Sequence, residues 1–418
     1  MSSNSTIAIP NLHRSVLANG ITLIVVENQA ADIISGRFFL KGAGTIIEQL
    51  EQAGLAHLAS AVITKGTENL SALEIAEQIE SIGAGLGADA ATDYFSLSLK
   101  TVSADFIPML KLLAEIMRSP SFPESEVELE RKLTLQGIRS QQEQPFNVAF
   151  NQLRQQMYPG HPYGVSVLGT ESSVETLTRQ DLLHYHQTYF RPDNLVISLS
   201  GRIDLSQASS LIAEVFGDWA KPDAPLVEPV LSIPLLNPSQ QEIIQDTQQS
   251  IVMLGYLGTK VNLQDYPVLK LISTYLGNGL SSRLFVELRE KRGLAYDISA
   301  FFPTRLAVAP FITYMGTAPS NTEIAIAGLS HEVERLTQIT LSDSELQGAK
   351  NKLLGQYALG KQTNGEIAQT YGWYETLGLG VEFDRSFQAA IAAISPEQIK
   401  EVALRYLTQP YISLVKPG

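Results

Sequence analysis

The chain has 418 residues, of which 44% are hydrophobic and 17% charged, a composition typical of a globular protein long enough for two domains. The absence of cysteine excludes disulfides and thiolate metal sites, and the net charge of −13 argues against nucleic-acid binding, which needs a concentrated basic face. Residues 1–10 lack the features of a secretory signal, and no apolar run approaches the roughly 20 residues that span a bilayer. We therefore expect a soluble, cytoplasmic protein without membrane or nucleic-acid partners.

The first half of the chain alternates strand and helix signals. A turn ending at Gly20 precedes an apolar run and predicts a hairpin that feeds a strand. Ser71 and Glu74 form a capping-box pattern that opens a helix, and Gly83 closes it. Period-2 alternation predicts a half-buried strand at Phe95, Leu97 and Leu99. Helices grouped between such strands favour an antiparallel α+β sandwich over a doubly wound parallel sheet.

A motif at residues 54–61 (Gly-Leu-Ala-His-Leu-Ala-Ser-Ala), followed by Lys-Gly-Thr at 65–67, carries the first specific signal. It resembles the zinc-binding helix of the pitrilysin-like (M16) peptidases, whose inverted motif is His-x-x-Glu-His. Two histidines at i and i+4 share one helix face and can hold zinc, while the glutamate polarises the bound water. Here His57 keeps the first position, but Ser60 replaces the base and Ala61 replaces the second ligand.

The resemblance implies a third ligand, a glutamate, roughly 75 residues further along the chain. Gly137 occupies that position and has no side chain, so two of three ligands and the catalytic base are missing. Glu130, seven residues earlier, matches a second glutamate often present on that helix. We therefore predict that this chain binds no metal and that His57 is a leftover helix histidine.

The other histidines offer no replacement site. His184 and His186 are two apart on a predicted helix, so they point about 200° apart and cannot share a metal. His161 lies in a Gly-His-Pro-Tyr-Gly turn that recurs in the family, and we interpret it as structural.

An internal duplication organises the whole chain. Ser125 and Ser342 each precede a glutamate by three residues, and Thr178 and Ser395 each open a capping box that leads to a tyrosine and a short strand. Both pairs are 217 residues apart in the sequence. This shared displacement predicts two homologous domains, 1–220 and 243–418, joined by a Pro-rich linker at 221–242. We expect each domain to be an antiparallel or mixed β-sheet packed against helices, which the resemblance implies is the LuxS/MPP-like metallohydrolase fold.

The second half retains a different motif intact. Residues 288–296 read Leu-Arg-Glu-Lys-Arg-Gly-Leu-Ala-Tyr and are similar to the family's C-terminal pattern, in which an Arg and a Tyr lie seven positions apart. The resemblance implies that Arg289 and Tyr296 bind substrate carbonyls beside a zinc site. A guanidinium and a phenol can both donate hydrogen bonds to a developing oxyanion. Without the resemblance, the segment is interpreted as a helix end capped by Gly293.

These patterns predict a non-catalytic, substrate-binding subunit of a heterodimeric zinc metalloendopeptidase. The zinc would be bound by a homologous M16 partner chain, the substrates would be peptides, and this chain alone would be inactive. Two alternatives stay open at this point. The chain could be a catalytically inert structural homologue, or a homodimeric peptide-binding protein.

Overall fold

Two β-sheets organise residues 11–226 and 236–418, which are the residues that the computed structural model describes. Each sheet belongs to one of two structural units. Within the described residues, the first unit comprises 11–134, 167–226 and 360–381, and the second comprises 135–166, 236–359 and 382–418. The predicted α+β class with two sheet-and-helix domains is confirmed.

The first sheet has six strands in the order β1-β2-β6-β3-β5-β4. The strands are β1 Leu12–Val16, β2 Thr22–Glu27, β3 Ile33–Lys41, β4 Gly85–Ala90, β5 Tyr94–Val102 and β6 Leu195–Gly201. β2 and β6 are parallel, and the other neighbours are antiparallel. The predicted hairpin joins β1 to β2, with Gly20 at a φ of 96°. Cross-strand partners share a face, so Phe38 lies with Leu97 and Ile197 in the core, whereas Arg37 lies on the opposite face of the sheet.

The second sheet repeats the order of five of these six strands, and among the described residues it has no counterpart of β1. Its strands are β7 Gln240–Ile244, β8 Ser250–Leu257, β9 Asp297–Phe301, β10 Pro310–Thr317 and β11 Tyr411–Lys416, in the order β7-β11-β8-β10-β9. The β7–β11 pair is parallel, as is β2–β6 in the first sheet. A common strand order with the parallel pair in the same place is what the predicted duplication requires.

Fourteen helices are present in the described part of the chain, and none is both long and apolar enough to cross a membrane. They are α1 Leu55–Val62, α2 Ala72–Glu80, α3 Phe106–Arg118, α4 Glu124–Glu143, α5 Pro145–Met157, α6 Glu171–Thr176, α7 Arg179–Tyr189, α8 Leu205–Phe216, α9 Tyr266–Gly277, α10 Thr322–Gln338, α11 Asp343–Leu359, α12 Asn364–Thr376, α13 Phe383–Ala393 and α14 Pro396–Tyr406.

Three of the four helix starts used to detect the duplication are confirmed. Thr178 and Ser395 close capping boxes at α7 and α14, and Ser342 accepts a hydrogen bond from the Glu345 backbone N–H at 3.3 Å ahead of α11. The interpretation of Ser125 as a cap was wrong. α4 already begins at Glu124, because the carbonyl of Pro123 accepts the first helical hydrogen bond, from the Val127 N–H at 3.0 Å.

The two units are discontinuous in sequence, which differs from the predicted contiguous domains 1–220 and 243–418. α5, from the first half of the chain, lies on β8 and β11 in the second unit, where Ser413 Oγ donates to the Ala149 carbonyl at 2.8 Å. α12, from the second half, lies over β3 and β6 in the first unit. Its Gly372 approaches so closely that an added Cβ would lie 2.4 Å from Phe39 Cε2.

The predicted linker at 221–242 is described only in part. Residues 227–235 lie outside the described residues, and β7 begins at Gln240, inside the segment predicted as linker.

Candidate functional site

The motif resembling a zinc helix does form a helix, α1, and a buried carboxylate caps it. Gly54 precedes α1 with a φ of 94°, a left-handed conformation that glycine adopts without strain. The carboxylate of Glu48 accepts hydrogen bonds from the backbone N–H groups of Gly54 at 2.9 Å and Ala56 at 2.7 Å. Burial raises the pKa of Glu48 to about 8, although both hydrogen bonds act to lower it. Glu48 thus fixes the start of the helix that carries His57.

The side chains around His57 form a small polar cluster in the first unit. Burial lowers the pKa of His57, and the carboxylates of Asp89 on β4 and Glu130 on α4 partly oppose that shift. Glu130 is also ion-paired with Lys65 across 3.4 Å. Ser60 is buried, and its hydroxyl donates to the His57 carbonyl at 2.7 Å. Ser60 therefore serves the helix backbone and is not positioned as a free acid or base.

Two other histidines make structural hydrogen bonds, and for His161 a structural role was the interpretation from sequence. His161 is 3% exposed, and its Nδ1 accepts a hydrogen bond from the Tyr163 N–H at 3.0 Å, which fixes the turn. His186 Nε2 lies 2.8 Å from the Met117 carbonyl. Burial lowers the pKa of both imidazoles, so both are neutral near pH 7.

Arg289 lies in a short π-helical segment, Phe285–Glu290, in the second unit. The Lys291 N–H donates to the Val286 carbonyl at 3.1 Å, five residues back, and this wider turn is a geometry often found at functional sites. Leu288 is fully buried and anchors the segment, while the exposed Arg289 guanidinium stacks over the Phe285 ring at 5.0 Å.

Tyr296 lies just before β9, where the backbone leaves the turn that follows the π-helical segment. Gly293 has a φ of 62°, and its N–H donates to the Arg289 carbonyl at 3.0 Å, as predicted for a helix cap. The Tyr296 N–H donates to the Gly316 carbonyl of β10 at 2.8 Å. The backbone is therefore fixed, while the Tyr296 side chain is 62% exposed and open to a ligand.

Comparison with known protein families identifies the chain. A family model described as "Insulinase (Peptidase family M16)" matches residues 24–171, and one described as "Peptidase M16 inactive domain" matches residues 176–353. Together the two matches cover most of the chain. The chain belongs to peptidase family M16.

Relatives of the M16 chain match it along nearly its whole length. An "Uncharacterized zinc protease" of Rickettsia bellii is 25% identical over 395 residues, which are 94% of this chain and 92% of that protein. The "Uncharacterized zinc protease YmxG" of Bacillus subtilis is 24% identical over 409 residues, 97% of this chain and 98% of that protein.

Solved structures confirm the M16 fold. The crystal structure of a peptidase M16 inactive domain from Pseudomonas fluorescens is 26% identical, with a TM-score of 0.89 and 98% of both chains covered. A protease from Helicobacter pylori, 21% identical, shares the fold with a TM-score of 0.91 over 98% of this chain and 100% of that one.

The residues of the M16 chain do not fit a catalytic zinc ion. Catalytic zinc sites use three protein ligands, and no group of three or more His, Cys, Asp or Glu side chains among the described residues could hold a metal. The positions that the motif would use provide a bonded hydroxyl at Ser60, a methyl at Ala61 and no side chain at Gly137 on α4. Of the positions that the motif would use, only His57 therefore keeps a group that can bind a metal.

The structure adds residues that sequence reasoning missed. Asp89 and Lys65 join the His57 cluster, and Glu48 caps α1, yet none of them belongs to a motif whose spacing points to His57. The alternation along β5 located the sheet, but it did not reveal that the neighbouring edge strand β4, which carries Asp89, packs against α1.

Proposed function

We propose that this M16 chain is the non-catalytic, substrate-binding subunit of a heterodimeric zinc metalloendopeptidase. Arg289 and Tyr296 would bind the carbonyl groups of a peptide next to a zinc ion held by a homologous partner chain. The cleavage chemistry would belong to the partner, and this chain would supply hydrogen-bond donors to the developing oxyanion.

The state of the Arg289 guanidinium carries the proposal. Its neighbours in the same segment are engaged, since Arg283 pairs with Glu287 at 2.9 Å and with Glu332 at 2.7 Å, and Lys291 pairs with Glu287 at 2.8 Å. In the described part of the chain, no carboxylate lies within ion-pair distance of Arg289.

A guanidinium held by an aromatic ring and left without a counter-ion is available to a ligand, and the exposed phenol of Tyr296 is too. Together with the incomplete donor set at His57, this supports a binding role for the chain and a catalytic role for a partner.

The test uses the reconstituted complex of this chain with a zinc-bearing M16 partner purified from the native source. Arg289→Ala and Tyr296→Phe should each lower kcat/KM for a fluorogenic peptide by about 10²–10³-fold, the usual effect of losing one oxyanion donor. Arg292→Ala is the matched control, because Arg292 is exposed and three residues away, and it should keep wild-type activity.

Complex formation, measured by sedimentation, should be the same for all variants. Full activity of an Arg289→Ala, Tyr296→Phe double variant in an intact complex would refute the proposed role. A stable complex without any peptidase activity would instead favour an inert structural homologue. A chain that binds peptides only as its own dimer would favour a homodimeric binding protein.

A further inference from the structure

Three partly buried cations of the second unit lie in or near the loop that joins β9 to β10. They come from three separate elements: Arg154 from α5, Lys270 from α9 and Arg305 from the loop itself. Lys270 Nζ donates to the Phe302 carbonyl at 2.6 Å, at the start of this loop. This cluster lies at the opposite end of β9 from Tyr296.

Hydrogen bonds from buried tyrosines fix the loop around Arg305. Tyr158 Oη donates to the Val308 carbonyl at 2.9 Å, and Tyr163 Oη accepts from the Ala307 N–H at 3.2 Å. The Arg305 guanidinium lies 5.8 Å from the centroid of the Tyr163 ring. Both tyrosines are less than a tenth exposed, so the loop and its arginine are held in place by the core.

Aromatic rings also flank the other two cations. Arg154 lies 5.3 Å from the Phe150 centroid, and Lys270 lies 5.6 Å from the Tyr266 centroid and 5.8 Å from that of Phe302. Aromatic faces stabilise cations only in part, and they leave the N–H donors along the edge of a guanidinium free for an anion.

None of the three cations has an anionic partner among the described residues. Each cation donates one side-chain hydrogen bond to an uncharged acceptor among these residues. Arg154 donates to Asn151 Oδ1, Lys270 to the Phe302 carbonyl, and Arg305 to the Thr304 carbonyl at 3.0 Å. Arg154 Nε is buried without any partner.

The charges also act on one another. Burial, together with the positive charge of Arg305, lowers the pKa of Lys270 to about 8 and that of Arg154 to about 10. Grouped cations cost free energy when no anion compensates them, and buried charges in proteins are normally paired. Such a group is unexpected in a chain with 43 acidic and 30 basic residues unless a ligand supplies the negative charge.

We propose that Arg154, Lys270 and Arg305 form a binding site for an oxyanion, a carboxylate or a phosphate, at the β9–β10 loop. Two guanidinium groups can bind such an anion through paired N–H donors, and the ammonium group adds a third charge. The site is separate from Arg289 and Tyr296, and it is measured on the isolated chain, so it does not depend on the proposed role of those residues.

The experiment is isothermal titration calorimetry of the full chain with inorganic phosphate at constant ionic strength, with chloride as the balancing ion. We expect saturable binding by the wild type and at least tenfold weaker binding by Arg305→Gln. Arg305→Lys, which keeps the charge, should retain more affinity than Arg305→Gln. Lys132→Gln is the control, because it removes one positive charge from an exposed position on α4 and should bind like the wild type.

Circular dichroism checks that each variant is folded, and Arg154→Gln replaces Arg305→Gln if the latter does not fold, with the same expected loss. The proposal is overturned if the wild type shows no saturable binding, or if folded Arg305→Gln and Arg154→Gln bind phosphate as tightly as the wild type.

A pair of peptides of one sequence, ending in a free carboxylate or in an amide, then distinguishes the sources of the anion. Displacement of phosphate by the carboxylate form alone would assign the site to a peptide C-terminus. Displacement by neither form would assign it to a small anion such as phosphate. Both results support the oxyanion site.

Discussion

Three residues distinguish this chain from the zinc-binding motif that its sequence resembles: a serine, an alanine and a glycine. Ser60, Ala61 and Gly137 stand at the positions for which the resemblance implies a carboxylate, an imidazole and a second carboxylate. These differences are visible in the sequence itself, because a metal motif fixes both residue type and spacing. The surroundings of His57 could not be predicted from the sequence. Asp89 on β4 and Glu130 on α4 act on His57 from distant parts of the chain.

Glu48 leads to a prediction about pH at the same scale. Its pKa is about 8 in the folded chain against 4.5 in the unfolded one, so the folded chain keeps the proton to higher pH. The stability that this group contributes is therefore complete below about pH 4.5 and is lost as the pH rises through 8. Glu48→Gln cannot ionise, and its single oxygen can still accept from one of the two N–H groups, those of Gly54 and Ala56, that Glu48 binds through separate oxygens.

Thermal unfolding measured from about pH 5 to 9 should therefore show a smaller fall in Tm for Glu48→Gln than for the wild type. Glu51→Gln is the control, because Glu51 is exposed and close in sequence, and it should reproduce the wild-type slope. Equal slopes for Glu48→Gln and the wild type would show that Glu48 is already ionised in the folded chain.

Among the elements, α5 and α12 make the two units discontinuous in sequence, because each helix packs on the sheet formed mainly by the other half of the chain. The sequence predicts helices and strands well where a local pattern exists, as for the capping box at Ser71 and the alternation of β5. It does not reveal which sheet a helix packs on, because an apolar helix face fits either one. The discontinuous units therefore became apparent only from contacts such as those of Ser413 with α5 and Gly372 with β3.

Gly372 provides a test of the α12 contact. A Cβ there would lie 2.4 Å from Phe39 Cε2 and 2.8 Å from Ser198 Cβ, so Gly372→Ala should destabilise the chain by about 1–3 kcal/mol through overpacking. Gly348→Ala on α11 is the matched control. It meets no atom within 4 Å and should stabilise the chain by roughly 0.5–1 kcal/mol, since alanine favours helix. Urea unfolding measures both, and equal effects would contradict the close packing of α12 on β3.

For the whole molecule, the two halves of the chain differ in their candidate site residues, although five strands of the first sheet have the same order as the five strands of the second. The first half carries His57 on α1, the helix whose sequence resembles a zinc motif, and the second carries Arg289 and Tyr296 exposed on a fixed backbone. Family membership and fold could be predicted from motifs alone, because the patterns around His57 and Tyr296 are specific. The identity of the proposed partner chain could not be predicted, since the surface that a second chain would recognise has no sequence signature of its own.

The most direct measurement is the zinc content and peptidase activity of the purified chain by itself, with zinc supplied in slight excess and then removed by dialysis. The account predicts far less than one zinc ion per chain, no zinc-dependent cleavage of unfolded peptides and no change on His57→Ala. One tightly held zinc ion per chain, with cleavage that disappears in His57→Ala, would contradict it.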